Sequence, residues 1–195
     1  MIVAKNASGE ITAFPAVEME FNPVANLVEF LVCPAEIDEA ISREAKALAI
    51  STIEAYDICG LLAVELFLTS DNNLLINEVA PRTHNSGHHT IDSCYTSQFQ
   101  QQLRAILDYP LGSTKMKTPS VMVNLLGAEG HTGQAVYEGL DECMSKEGVR
   151  MHLYGKEITK PFRKMGHATI LAETIDKAKV NARFVQKNLK IITSK

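Results

Sequence analysis

Gly60-Leu61-Leu62-Ala63-Val64-Glu65-Leu66-Phe67-Leu68-Thr69, the tetrad Ser70-Asp71-Asn72-Asn73, and Leu74-Leu75-Ile76-Asn77-Glu78-Val79-Ala80-Pro81-Arg82 form the stretch that decides the fold. Two apolar runs around a turn-forming tetrad are the pattern of a β-hairpin. With Asp71-Asn72 as a two-residue loop, paired positions sum to 143 and Glu65 falls across from Glu78. This register places Ala63, Glu65, Phe67 and Thr69 on one face with Leu74, Ile76 and Glu78. Leu62, Val64, Leu66, Leu68, Leu75 and Val79 make the other, core-forming face. Like charges directly opposite each other destabilise a sheet unless a cation or a shared proton offsets them. Magnesium suits the pair, because this hard ion takes carboxylate oxygens together with substrate phosphates. The plainer alternative is one glutamate solvated at a sheet edge beside a looser turn.

Outward from the hairpin, Met1 to Ala4 and Ile11 to Pro15 read as strands around a glycine turn, so the chain begins inside a sheet. Leu27 to Val32 is a further strand, ended by Pro34. Ile37, Ile41, Ala45, Leu48, Thr52 and Tyr56 recur at helical spacing and predict a helix over 36–58, with Gly60 able to stop it. Residues 80–96 lack apolar periodicity and read as a long loop able to aim polar side chains at a ligand. A helix over 97–107 follows, through Phe99, Leu103, Ile106 and Leu107, and 113–118 is a boundary. Beyond it come a strand from Val121 to Leu126, a short helix from Tyr137 to Ser145, and strands at 150–154 and 166–171. A terminal helix from Ile175 carries the stripe Ala178, Ala182, Val185 and Leu189. The expectation is an α+β fold with a mixed or antiparallel sheet, divided into 1–113 and a small, β-rich 114–195.

At 195 residues, 46% of them hydrophobic, the chain can bury one large core or two small ones. Its formal charge of -4 offers no bulk attraction to nucleic acid or anionic membrane, so any phosphate must be bound locally. With no long apolar run and no basic leader, neither a membrane span nor secretory targeting is indicated, and the expected compartment is the cytoplasm. Cys33, Cys59, Cys94 and Cys143 are widely spaced and read as buried or half-buried free thiols.

The order of Gly127, Gly130 and Gly133 fits neither a dinucleotide fingerprint nor a phosphate loop, so these glycines are assigned to turns. A stronger anion signal is Lys156, Lys160, Arg163, Lys164 and His167, a density of donors suited to a phosphate monoester, or else a solvated basic loop. Arg82 and His84 follow Glu78 by four and six residues, so both can lie within a few side-chain lengths of the same cation. His84, His88 and His89 form a possible soft-metal set, although hydrogen bonding or proton transfer suits them better. Asn85 can add an uncharged oxygen to a magnesium shell, donate to phosphate, or simply cap a turn.

The segment from Gly60 to Gly112, with NEVAPRTHNSGHHTIDSC at its centre, resembles the N5-carboxyaminoimidazole ribonucleotide synthase family of ATP-grasp enzymes of purine biosynthesis. YGKEITKPFRKMGHATI resembles that family's C-terminal signature. The resemblance implies the C-terminal half of an ATP-grasp fold and an ATP-dependent carbon–nitrogen ligase that carboxylates 5-aminoimidazole ribonucleotide with bicarbonate. Carried over by motif, Glu65 and Glu78 hold magnesium on ATP and Asn85 completes that end of the site. Arg82 and His84 face phosphate or the aminoimidazole, and Arg104 binds bicarbonate. Lys156, Arg163 and Lys164 take the ribotide phosphate, and the full-length protein is a homodimer.

Gln100 and Gln102 stand where the resembled family commonly has an acid and a histidine, and Phe162 where a glycine is usual. The resemblance also lacks the family's N-terminal domain and nucleotide-clamping lid, which implies a fragment that binds magnesium nucleotide weakly and turns over little. Two further readings stand beside it: another ATP-grasp purine enzyme, such as a formate-dependent transformylase, and a noncatalytic remnant serving as a binding module.

Overall fold

The computed structural model describes residues 1–21 and 28–194. In chain order the elements are β1 (Ile2–Lys5), β2 (Ile11–Ala13), β3 (Glu18–Phe21), β4 (Val28–Cys33), α1 (Glu39–Ala55), β5 (Gly60–Leu68) and β6 (Leu74–Ala80). Then follow α2 (Thr90–Ser93), α3 (Gln98–Ile106), β7 (Ser120–Leu126), β8 (Gly133–Glu138), α4 (Leu140–Met144) and β9 (Val149–Leu153). The chain closes with β10 (Ile158–Thr159), β11 (Lys164–Leu171), α5 (Ile175–Asn188) and β12 (Lys190–Thr193). Leu27, expected to open the strand that is β4 here, lies outside the described residues. The fold class is α+β, as the sequence predicts.

The chain forms two compact units, Met1–Glu18 with Cys33–Lys117, and Met19–Val32 with Thr118–Lys195. The second unit thus draws Met19–Val32 out of the stretch 1–113 that the sequence suggests is continuous. The reason is strand pairing at long range: β3 and β4 join a five-stranded sheet of order β3-β4-β7-β11-β9. Its core gathers Phe30 and Val32 with Val121, Val123, Ile170 and the stripe Ala178, Ala182, Val185 and Leu189. A separate antiparallel sheet of order β10-β8-β12 belongs to the same unit, and none of its three strands has a counterpart in the sequence reading. Residues 137–145, expected to be one helix, begin inside β8 and become helical only at Leu140.

In the first unit β2-β1-β5-β6 form an antiparallel sheet. It buries both faces over the first half of β5, not one. Leu61 and Ala63 pack with Ile2, Ala4, Phe14 and Cys94, while Leu62 and Val64 pack with Val3, Ala49 and Ile53 of the α1 side. Helix α1 ends at Ala55, two residues before Asp57 takes a φ of +49°; Gly60 starts the next strand instead of stopping the helix. In α3 the apolar Phe99, Leu103 and Ile106 are exposed, and the buried side carries Gln98, Gln101 and Ala105. Cys59 is exposed, and the other three thiols are buried. Among the described residues, no helix is long and apolar enough to cross a membrane.

Candidate functional site

Glu65 and Glu78 are paired across β5 and β6, as the hairpin pattern predicts. The turn that delivers them differs from the expected two-residue loop. Asn72 N–H donates to Thr69 O and Thr69 N–H to Asn73 O, with Asn72 at a φ of +61°, which is a three-residue loop with a left-handed third position. Near the tip, therefore, Leu68 pairs with Leu74, Phe67 with Leu75 and Leu66 with Ile76. Continued down the strands, this register would set Glu65 against Asn77. A bulge between Glu65 and Leu66 absorbs Asn77 as an extra residue and restores the pairing of Glu65 with Glu78 and of Val64 with Val79. Leu74 and Ile76 consequently fall on the face opposite the one expected, and Leu75 joins Phe67. Phe67, Leu68, Leu75 and Ile76 are all exposed, so the tip contributes to neither core.

Pro81 ends β6, and the chain turns back so that His84 meets the carboxylates. His84 caps a 3₁₀ turn over Asn85–Gly87, its Nδ1 2.9 Å from Ser86 Oγ. Its Nε2 lies 3.6 Å from Glu65 Oε1. One ligand atom from each of Glu65, Glu78 and His84 lies within 4.8 Å of the others. Glu65 and His84 are half-buried and Glu78 is exposed, so the cluster has a supported side and an open side. Among the described residues, neither carboxylate is paired with a lysine or arginine side chain. Two facing carboxylates with an imidazole at their edge are a donor set that fits a divalent cation, and the open side leaves room for further oxygen ligands.

The other predicted residues have separate surroundings. Arg82 is exposed and its Nη1 donates to Thr83 O at 3.0 Å; Asn85 is half-buried in the 3₁₀ turn. Arg104, in the last turn of α3, donates to Pro110 O at 2.9 Å. In the second unit, Lys156 Nζ donates to Lys164 O and Arg163 Nη1 to Ile158 O, both at 2.6 Å. Lys164 begins β11 and is exposed. His167 departs from the basic loop: it is buried in β11, stacked on His152 at 4.4 Å, with Nδ1 3.0 Å from Tyr154 Oη.

The three histidines of the 84–89 loop do not form one metal set. His88 stacks on Phe99 and its Nδ1 lies 2.8 Å from Gln98 Nε2. His89 is buried beside Ser93 Oγ at 2.8 Å, and burial lowers its pKa to about 3, so it is a neutral core residue at ordinary pH. The two glutamine departures have structural explanations. Gln100 forms a reciprocal capping box with Ser97, a role glutamine fills as well as glutamate. Gln102 Oε1 accepts the Leu61 N–H at 2.8 Å, holding α3 to β5. Phe162 has a φ of +61°, a conformation that glycine adopts freely and that costs a bulky residue strain. Gly127 lets this loop approach, since a Cβ there would fall on Lys160 O and Thr159 Oγ1. Gln98, which the sequence reading passes over, proves to be fully buried at the foot of the His84 loop. Its only sequence signal is its place directly after the N-cap Ser97.

The ATP-grasp domain family matches residues 1–99, and the phosphoribosylaminoimidazole carboxylase C-terminal domain matches residues 120–181. N5-carboxyaminoimidazole ribonucleotide synthase of Bacillus subtilis is 41% identical over 176 residues, 90% of this chain and 44% of that protein. The crystal structure of N5-carboxyaminoimidazole ribonucleotide synthetase from Thermotoga maritima superposes with a TM-score of 0.92 at 44% identity, over 99% of this chain and 51% of that one. The Aspergillus clavatus N5-carboxyaminoimidazole synthase, in complex with ADP and 5-aminoimidazole ribonucleotide, gives 0.84 at 33% identity, over 95% of this chain and 49% of that one. The chain thus spans about half the length of these relatives. With its paired carboxylates on a hairpin that falls within the matched region, the chain belongs to the ATP-grasp family, in the branch that carries a phosphoribosylaminoimidazole carboxylase C-terminal domain.

Proposed function

We propose that this chain supplies the metal-carboxylate part of an ATP- and bicarbonate-dependent ligase that converts 5-aminoimidazole ribonucleotide to N5-carboxyaminoimidazole ribonucleotide. The observation that carries this reading is the convergence of Glu65, Glu78 and His84, in register, in a chain of the ATP-grasp family. The ADP and 5-aminoimidazole ribonucleotide bound by the Aspergillus relative support the ligand classes. Glu65 and Glu78, with Asn85 as a further oxygen ligand, would hold Mg²⁺, which when bound neutralises charge on the ATP phosphates. A bicarbonate oxygen attacks the γ-phosphorus of ATP and ADP leaves. The substrate amine then attacks the carboxyl carbon, phosphate leaves, and the nitrogen loses a proton.

The residues of this chain contribute positioning and charge. Arg104 would bind bicarbonate, and Arg82 and His84 would face phosphate or the aminoimidazole. In the second unit, Lys156, Arg163 and Lys164 would hold the ribotide phosphate by exchanging main-chain carbonyls for phosphate oxygens. A cytoplasmic homodimer is the form in which we place the full-length protein. Against the reading of a noncatalytic remnant, Gln100 and Gln102 each make a structural hydrogen bond that gives the glutamine a use of its own.

Calorimetry of ATP with and without Mg²⁺ tests the assignment. Weak Mg²⁺-dependent binding by the 195-residue chain is expected, abolished in Glu65→Gln/Glu78→Gln. Equal binding by the double variant would remove the metal assignment. Because the chain spans about half of its relatives, it is expected to turn over little or nothing alone, and ready carboxylation by it would contradict this.

A further inference from the structure

Gln98 is 0% exposed, and its carboxamide meets both main-chain polar groups of His84, with Nε2 also 2.8 Å from His88 Nδ1. Oε1 accepts the His84 N–H at 2.9 Å, and Nε2 donates to the His84 carbonyl at 2.8 Å. His84 has extended backbone, φ -128° and ψ 153°, so its N–H and C=O point to the same side. The carboxamide meets both, as a neighbouring strand would. The Gln98 backbone N–H donates to Thr90 Oγ1 at 2.8 Å, and that hydroxyl donates to Gly87 O at 2.6 Å. The loop from His84 to Thr90 is thereby fastened at both ends to the start of α3. Gly87 provides the space, because a Cβ there would lie 2.5 Å from Gln98 Oε1.

The consequence reaches the carboxylates through the imidazole. His84 Nδ1 lies 2.9 Å from Ser86 Oγ and 3.4 Å from the Ser86 N–H, so the ring is held by its Nδ1 edge and Nε2 is left facing Glu65 Oε1 at 3.6 Å. We infer that Gln98 is a positioning residue of the cation site: it acts through His84, holding the imidazole against Glu65 so that this carboxylate stays aligned with Glu78. Groups outside the ligand shell that orient it commonly govern metal affinity by ~10-fold or more. The inference rests on the reading of Glu65 and Glu78 as a divalent-cation site.

Titration of the 195-residue chain with Mn²⁺, followed by the electron paramagnetic resonance signal of the free ion, tests both. Gln98→Met keeps the side chain's bulk and removes its hydrogen bonds; affinity is expected to fall roughly tenfold, with the amide NMR spectrum confirming the fold. Gly87→Ala displaces the carboxamide from the opposite side and should act in the same direction, which covers the case of a Gln98 variant that does not fold. In a His84→Gln background the effect of Gln98→Met should shrink to less than about twofold, because the coupling passes through His84. Wild-type affinity in a folded Gln98→Met protein overturns the inference, as does an equal loss in both backgrounds, which would mark general loosening. If Mn²⁺ binds wild type and Glu65→Gln/Glu78→Gln alike, the cation site itself is refuted, and the role of Gln98 with it.

Discussion

The carboxylate cluster of the first unit and the basic loop of the second hold their charges by opposite means. Glu65, Glu78 and His84 are set by backbone: a strand register, a bulge and a buried carboxamide gripping the His84 main chain. Lys156 and Arg163 are set by their own charged ends, which donate to the main-chain carbonyls of Lys164 at the start of β11 and Ile158 in β10. The difference follows from electrostatics. Like charges crowded together push apart and need a rigid frame, whereas separate cations can rest on main-chain dipoles until a stronger acceptor replaces them. One region is preorganised for a cation; the other is exchangeable toward an anion.

Acid should expose the largest contrast, because the frame of the first unit contains a buried neutral histidine. The pKa of His89 is about 3 when folded and near the ordinary 6.5 when unfolded, so the unfolded chain binds the extra proton between these values. The contribution of neutral His89 is complete above pH 6.5 and is lost as pH falls toward 3, with a slope of up to ~1.4 kcal/mol per pH unit. Urea unfolding at pH 7 and pH 5 should show this slope in wild type and a shallower one in His89→Gln; equal slopes would remove His89 from the frame. A smaller effect is expected in the second unit from Gly127→Ala, whose new methyl meets Lys160 O and Thr159 Oγ1. A loss of ~1–3 kcal/mol is expected, with amide shifts at 159–164 and none at 84–90. Shifts in both places would blur the contrast. Smallest is Phe162→Gly, which relieves the left-handed strain of an exposed residue and should stabilise by less than ~1 kcal/mol in a thermal melt. A lower melting temperature would mean that the Phe162 ring contributes packing that outweighs the strain.

Much of this arrangement was legible in the sequence where the signal is local. The two apolar runs and the Ser-Asp-Asn-Asn turn gave the hairpin and the pairing of Glu65 with Glu78, and the alanine stripe gave α5. Family likeness supplied the ATP-grasp assignment, which residue spacing alone could not. The bulge was not legible, because two-residue and three-residue turns use the same polar residues and differ only in backbone conformation. Recruitment of β3 and β4 into the second unit depends on partners roughly a hundred residues away, and periodicity carries no information about them. Helix α3 misled for a related reason. Its apolar Phe99, Leu103 and Ile106 suggest the inward face, but Gln98 is the residue inside, bound to the N–H and C=O of His84.

The extra residue at Asn77 has one more consequence, for how the hairpin can change over time. Side chains alternate along a strand, so a one-residue change in turn length ordinarily turns everything beyond it inside out. Here the irregularity lies between the tip and the glutamates and takes up such a step before it reaches them. The exposed end of the hairpin is thus insulated from the acidic pair. The tip is one residue out of step with the strands below it, and the two carboxylates keep their alignment all the same.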